Sequence, residues 1–442
     1  MEMKIISKQN IKPKSPTPEH LKILKFSVLD QLCAHAYIPF VLLFSNNQNG
    51  PDFITKTRDH LKHSLSETLV RFYPLAGEVN DLHIDCNDTG VYYVESLVHK
   101  SIAEFSENPK SKYVRQLFAY DPDSQELVTK KYVVLMQVNI FSCGGIGIAL
   151  LTTHKLIDAY SSAIFLQTWG QTVRGCSENI ITPWFDVSHV LPQIPTLPKT
   201  ASMVSWPLNF RRPKCVPRWF VFDSNAISSL KDKATIMKEK KLSRVVAVVA
   251  LLWKCIISAS MAKNGFRRKS VLSFAVGLRK KNTLSLPNYS IGNIFWFVNA
   301  MFSSETALEL SSVVGCLQNS IAKIDENFAE EIKGEKGSLK MKEVLRKLED
   351  VYSKDEADYY VATSICNAGF YDVDFGWGKP IKTLHGCPDA DNPGVTNLIF
   401  LSETESGDGI EALVSLGEED MKILEHDDEL LAFASIKPTP NF

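Results

Sequence analysis

The stretch Val133–Gly175, VVLMQVNIFSCGGIGIALLTTHKLIDAYSSAIFLQTWGQTVRG, decides the fold of this 442-residue chain. Two runs, Tyr132 to Ile140 and Ile146 to Thr152, are rich in Val, Ile and Leu. They flank Cys143, Gly144 and Gly145, the pattern of a β-hairpin with a glycine tip. After Thr153 the period changes: Leu156, Ala159, Ala163, Ile164 and Trp169 recur at helical spacing up to Gly170, so the second strand hands over to a helix. His154 and Asp158 sit at the junction. Strand ends that lead into a helix are where α/β folds present reactive groups on a rigid scaffold. His154 is therefore a candidate general base; a hydrogen-bonded, partly buried structural imidazole is the plainer reading of the same position.

The spacing His-x-x-x-Asp does not decide between those readings, because it occurs twice, as His154 with Asp158 and as His385 with Asp389. The second copy lies in HGCPDADNPG, where Pro388 and Pro393 break any regular element, so it reads as a surface loop. Context separates the two copies.

Working outward, 45% hydrophobic residues suffice for full cores, so the chain is globular. Lys plus Arg number 49 against 50 Asp plus Glu, so no global field steers it to nucleic acid or an anionic membrane. The nine cysteines include no Cys-x-x-Cys pair and read as reduced thiols, with neither a metal site nor a disulfide framework expected. The first residues lack an apolar core of signal-peptide length, and the most apolar run, Val245 to Trp253, is shorter than a membrane span. The expectation is a soluble cytoplasmic monomer with no membrane partner.

Along the chain, Pro13, Pro16 and Pro18 mark an extended entry. A strand at Val41–Phe44 precedes a helix from His60 to Phe72, ended by Pro74 and Gly77, and short strands lie near His83 and at Val91–Glu95. Prolines at 183, 192, 195, 198, 207, 213 and 217 mark residues 182–217 as a crossover linker. Beyond it come a strand at Arg218–Phe222, a helix capped by Ser224 or Asn225 and running towards Lys240, and a buried helix at Arg244–Ala259. A central strand at Val271–Leu278 ends in Arg279, Lys280 and Lys281. The result is an α/β chain of two similar-sized halves, 1–181 and 218–442, each mixing sheet and helix, with a cleft between them.

A last informative stretch is Gly369–Pro380, GFYDVDFGWGKP. Asp374, Phe375 and Gly376 match the metal-binding triplet of protein kinases, but no glycine-rich loop or His-Arg-Asp loop precedes them. A phosphate-binding loop and a Gly-x-Ser-x-Gly nucleophile elbow are also missing. Gly376 and Gly378 around Trp377 suit a tight turn anchored by a buried aromatic ring.

Thr153-His154-Lys155-Leu156-Ile157-Asp158, followed in the second half by Asp374-Phe375-Gly376-Trp377-Gly378, resembles the paired signature of the plant BAHD acyltransferases. The likeness runs nearly end to end, through Ser15–Pro18, Leu29-Asp30-Gln31 in the first strand region, Phe72–Gly77, Ile291-Gly292-Asn293 and Phe370–Pro380. It is strongest toward the alkaloid O-acetyltransferase branch. It implies a two-domain acyltransferase fold whose central channel admits acyl-CoA from one side and the acceptor alcohol or amine from the other. His154 would be the base. Asp158, the second residue of the catalytic motif, would pair with Arg279 across the domain interface, and Asp374, Gly376, Trp377 and Gly378 would support the site structurally. Thr363, Ile365 and Asn293 are the positions for oxyanion or substrate contacts.

No bound cofactor or metal is implied; acetyl-CoA, or another short acyl-CoA, would be the co-substrate. The expected activity is transfer of acetyl to a hydroxyl of a plant specialised metabolite such as a monoterpene indole alkaloid. A malonyl-CoA-dependent transferase, a non-catalytic metabolite-binding relative and an ester hydrolase are the alternatives. Two basic clusters, Lys238, Lys240, Lys241 and Arg244, and Arg267, Arg268 and Lys269, would either meet CoA phosphates or form a solvated face.

The chain departs from the family pattern at Ala159, usually Gly, at Ile365, commonly Trp, and at Asn367, commonly Arg. In other enzymes loss of one oxyanion donor is worth about 2.7–4 kcal/mol. Without the Trp indole, either another donor such as Thr363 or a backbone N–H serves, or the pocket takes an unusual acceptor, or activity is impaired. The smaller Ile365 also opens space that suits a bulky polycyclic substrate.

Overall fold

The computed structural model describes residues 1–33, 36–45, 51–107, 111–119, 131–176, 180–197, 215–234, 242–279, 284–334, 337, 339, 341–343, 357–385 and 397–437. The hairpin is present: β7 (Val134–Phe141) pairs antiparallel with β8 (Ile146–Thr153), and every residue of both is buried. Covered on both faces, these strands have no need to alternate, which is why they read as continuous apolar runs. They lie at the centre of a six-stranded sheet ordered β1 (Met3–Ile11), β6 (Val91–Val98), β7, β8, β3 (Tyr37–Phe44) and β13 (Lys382–His385).

A second sheet has seven strands, ordered β11 (Phe295–Phe302), β10 (Lys269–Gly277), β12 (Ala357–Ser364), β14 (Leu398–Glu403), β15 (Ile410–Gly417), β9 (Cys215–Phe222) and β16 (Ser435–Lys437). A small sheet joins β2 (Ile23–Lys25), β5 (His83–Asp85) and β4 (Glu78–Val79). Each large sheet has its own apolar core. Helices Pro51–Arg71 and Ala159–Val173 contribute Leu61, Leu65, Ile164 and Trp169 to the first, and Arg244–Asn264 and Leu310–Ala322 contribute Leu251, Trp253 and Leu317 to the second.

Several elements differ from the sequence reading. Leu29-Asp30-Gln31 is not in a strand: Val28–Gln31 is a single helical turn, closed by a capping box between Ser27 and Asp30. The first long helix starts at Pro51, not His60. The proline-rich stretch is packed where it is described, with Phe185 in the first core and Val187, Leu191 and Ile194 in the second. Its end, from Cys215, already belongs to β9. His385 is not in a surface loop but buried at the end of β13, while Asp389 and the rest of its loop lie outside the described residues, as do Lys238, Lys240, Lys241, Lys280 and Lys281. The helix Arg244–Asn264 extends past the run read from sequence and is long and apolar enough to cross a membrane, yet 67% of its most apolar window is buried inside the protein.

One strand departs from chain order. The strands from β9 onward build the second sheet, except β13, which returns to pair with β3 through Lys382↔Leu43 to His385↔Phe40. The DFGWG stretch precedes it and packs on the helix Ala159–Val173. There Gly170 is essential, because a Cβ added to it would lie 2.4 Å from the Asp374 carbonyl oxygen. Gly170→Ala is expected to destabilise the protein by about 1–3 kcal/mol through this overpacking. Urea unfolding should show a lower midpoint with unchanged slope.

Candidate active site

β8 ends at Thr153, and the backbone N–H of His154 is held by the Ala36 carbonyl at 2.8 Å, at the start of β3. The imidazole Nδ1 lies 2.9 Å from Oδ1 of Asn293. The Asn293 amide nitrogen faces two acceptors, Oδ1 of Asp30 at 2.9 Å and the His154 carbonyl at 2.7 Å. Its oxygen must therefore face the ring, where it can only accept, so Nδ1 carries the hydrogen and Nε2 the lone pair. Burial lowers the His154 pKa below the ordinary histidine value, against the opposing influence of Asp158 and of the Asn293 hydrogen bond. The imidazole is thus neutral near pH 7, with a basic nitrogen available. Phe295 flanks it at a centroid separation of 6.0 Å.

Asp158 does not share this task. It caps the helix Ala159–Val173 by accepting from the Ser161 N–H at 2.8 Å, and it also accepts from the Ile294 N–H at 3.2 Å. Arg279 donates to both carboxylate oxygens, at 2.6 and 3.2 Å. The same guanidinium donates to the Ser290 and Gly292 carbonyls and to Ser161 Oγ, and lies 4.6 Å from the centroid of the Tyr160 ring. Asp158 and Arg279 therefore join the His154 loop to the segment Ser290–Ile294 of the second half. Ala159, in place of the usual Gly, is the first residue of the helix and packs on the first core.

Asn293 is corrected: both its amide hydrogens and its backbone N–H are committed to Asp30 and His154, which leaves no donor for an oxyanion or substrate. Thr363 is half-buried on β12, with no hydrogen bond from its hydroxyl among the described residues. Ile365 donates its N–H to the Leu401 carbonyl and packs against the first core. Neither makes a hydrogen bond with His154. Asn367 has φ +62°, a conformation asparagine tolerates, and its Oδ1 accepts from Arg244 at 3.2 Å. Arg244 also pairs with Glu403, and Arg268 pairs with Asp358 at 3.2 Å, so these two basic-cluster residues are tied within the protein.

Asp374, Gly376, Trp377 and Gly378 stand apart from the imidazole. Asp374 Oδ1 accepts from the N–H groups of Gly376 and Gly378, both at positive φ. The buried ring of this turn is Phe375 rather than Trp377: it lies edge-on to Trp169 at 4.8 Å and stacks on the half-buried Trp377.

Asp30, which carries no role in the sequence pattern, is part of this site through its bonds to Asn293. Its signal was present in Ser27-x-x-Asp30, a capping box on a residue pair that precedes no long helix.

A family model described as the Transferase family matches residues 1–431. The chain belongs to this family, the BAHD acyltransferases. The acyltransferase takes an acyl-CoA as its co-substrate. Limonoid 7-O-acetyltransferase of Citrus sinensis is 38% identical to it over the whole of both chains. Stemmadenine O-acetyltransferase of Catharanthus roseus is 33% identical over 96% of this chain and 97% of that one. The crystal structure of vinorine synthase, a protein known from Rauvolfia serpentina, matches with a TM-score of 0.81 at 33% identity, covering 98% of this chain and 99% of that chain. The α/β architecture of the acyltransferase is the one this structure shares.

Proposed function

We propose that the acyltransferase moves an acetyl group from acetyl-CoA to a hydroxyl of a bulky polycyclic plant metabolite, with His154 as general base. Nε2 takes the proton as the acceptor oxygen bonds to the thioester carbonyl carbon. The tetrahedral intermediate then breaks its C–S bond, and the departing CoA thiolate recovers the proton from the imidazolium. The observation that carries this reading is the Asn293 amide, whose orientation leaves the Nε2 lone pair free. A neutral imidazole so held supplies roughly 10²–10⁴-fold by base catalysis.

For the acceptor, the Citrus relative, 38% identical, is named for a limonoid, and the Catharanthus relative, 33% identical, for stemmadenine. A limonoid-like acceptor is the first reading and the alkaloid expected from the sequence the second; the smaller side chain of Ile365 suits the bulk of either. We place the protein in the cytoplasm as a monomer, to be checked by light scattering against its mass of 49.6 kDa.

The test is mass spectrometry of products after incubation with acetyl-CoA or malonyl-CoA and panels of hydroxylated limonoids and alkaloids, beside a His154→Ala control. A gain of one acyl group, absent in the control, identifies donor and acceptor together. Free CoA released without acceptor indicates a hydrolase, and CoA binding without product across the panel indicates a non-catalytic relative. Because burial lowers the His154 pKa, the acid limb of kcat/KM should inflect below the ordinary histidine value of 6.5. A pH–rate profile over pH 5 to 8 checks it.

A further inference from the structure

Behind the contact between His154 and Asn293 lies a buried carboxylate to which neither the motif nor the family likeness gives a task. We propose that Asp30 is a positioning residue, the distal member of an Asp30–Asn293–His154 relay that fixes the imidazole tautomer for proton abstraction. The proposal rests on the general-base reading of His154.

Asp30 is 2% exposed. Its Oδ2 accepts from the backbone N–H and the hydroxyl of Ser27, at 3.0 and 2.6 Å. Its Oδ1 accepts from the backbone N–H and the amide of Asn293, at 2.8 and 2.9 Å. All four contacts come from donors. The capping box of the short helix accounts for Oδ2 alone; it makes no use of the two bonds to a residue 263 positions along the chain. Oδ1 therefore has a separate role, and Asn293 is the group it holds.

An asparagine amide can turn over with little change in shape, exchanging oxygen for nitrogen. Turned over here, its NH₂ would face Nδ1 of His154, the hydrogen would move to Nε2, and the nitrogen needed as base would carry a proton. The His154 carbonyl opposes this by accepting from the amide nitrogen, and Asp30 adds to it in two ways: it accepts from the same nitrogen and it anchors the Asn293 backbone. Burial raises the Asp30 pKa, against the donors from Ser27 and Asn293 that favour the carboxylate; in that form it also polarises the amide, so the Asn293 oxygen better supports the imidazolium formed during proton transfer. Asp158 cannot do this, since its lone pairs go to Arg279, Ser161 and Ile294. The other charged group near the imidazole, Lys155, extends away from it to donate to the Gln31 carbonyl at 2.8 Å.

The test compares Asp30→Asn with Ser27→Ala in the full-length protein labelled with ¹⁵N-histidine. Long-range ¹H–¹⁵N correlation reads the His154 tautomer, and a pH–rate profile reads the chemistry. The wild type should show the Nδ1–H form. Asp30→Asn should populate the Nε2–H form, lower kcat about 10- to 100-fold with little change in KM for acetyl-CoA, and move the acid limb to lower pH. This is the size of effect that loss of an outer partner has on histidines held in metal sites. Ser27→Ala weakens the cap only, so it should lower stability and leave tautomer and acid limb in place. Asp30→Ser replaces Asp30→Asn if the latter does not accumulate. An unchanged tautomer and acid limb in the Asp30 variants, whatever the loss of stability, would overturn the relay. Full activity in His154→Ala would instead overturn the base reading, and the spectra would still decide whether Asp30 holds the tautomer.

Discussion

His154→Ala is expected to lower kcat for acyl transfer by about 10²–10⁴-fold, with the affinity for acetyl-CoA nearly unchanged. Among the described residues the imidazole makes one side-chain hydrogen bond, to Asn293, and flanks Phe295, so its removal strands no charge and should leave the fold intact. A transferase that lost its base would still hold both substrates, and residual turnover would come from proximity of thioester and alcohol. The measurement is acceptor-dependent release of free CoA, followed with a thiol reagent, beside a thermal melt of the same preparation. A variant with a wild-type melt and a rate within tenfold of wild type would remove His154 from the mechanism.

The largest effect on stability is expected at Asp158. Asp158→Ala removes one partner of a buried ion pair and leaves Arg279 with its charge uncompensated, a change that costs about 3–5 kcal/mol. It also removes the cap on the Ser161 N–H, worth roughly 1 kcal/mol. Chemical denaturation should show the loss directly. The Asp158→Ala and Arg279→Met double variant should lose less than the sum of the two single variants, because the partners are in contact. Acid should reveal the same pair. Burial alone would raise the Asp158 pKa, but Arg279 and the Ser161 donors outweigh it and hold the carboxyl below its usual 3.8. A carboxylate whose folded pKa is depressed contributes stability that is fully present above 3.8 and is lost as pH falls through the lower, folded value. Asp158→Ala should therefore flatten the acid side of the stability profile below about pH 4.

The parts of the protein that were legible in its sequence are those written in local pattern. The hairpin and the strand-to-helix junction at His154 show in unbroken apolar runs and a change of period, and the helix from Arg244 shows in its uniform hydrophobicity. What was missed depends on partners far along the chain. Leu29-Asp30-Gln31 is too short for periodicity, and its capping box closes a single turn. The start of the first long helix was misplaced because Pro51–Asp59 carries few apolar residues at helical spacing. Asn293 looked available to substrate because its commitments, to Asp30 and to His154, come from segments 263 and 139 residues away. His385 was read as exposed from the prolines that follow it, while its burial comes from Phe40 and Phe370. The pairing of Asp158 with Arg279 was reached only through family likeness, since no local signal joins residues 121 apart.

The return of β13 to the first sheet bears on how such enzymes can be recombined. A chimera joined near residue 217 would inherit the outer strand beside β3, and the aromatic turn that packs on Gly170, from the parent that did not supply their seats. Phe375 would meet a foreign Trp169, and Lys382–His385 a foreign edge. A clean exchange of the two halves between relatives needs three crossovers rather than one, with residues from about 366 to 385 travelling together with the N-terminal segment.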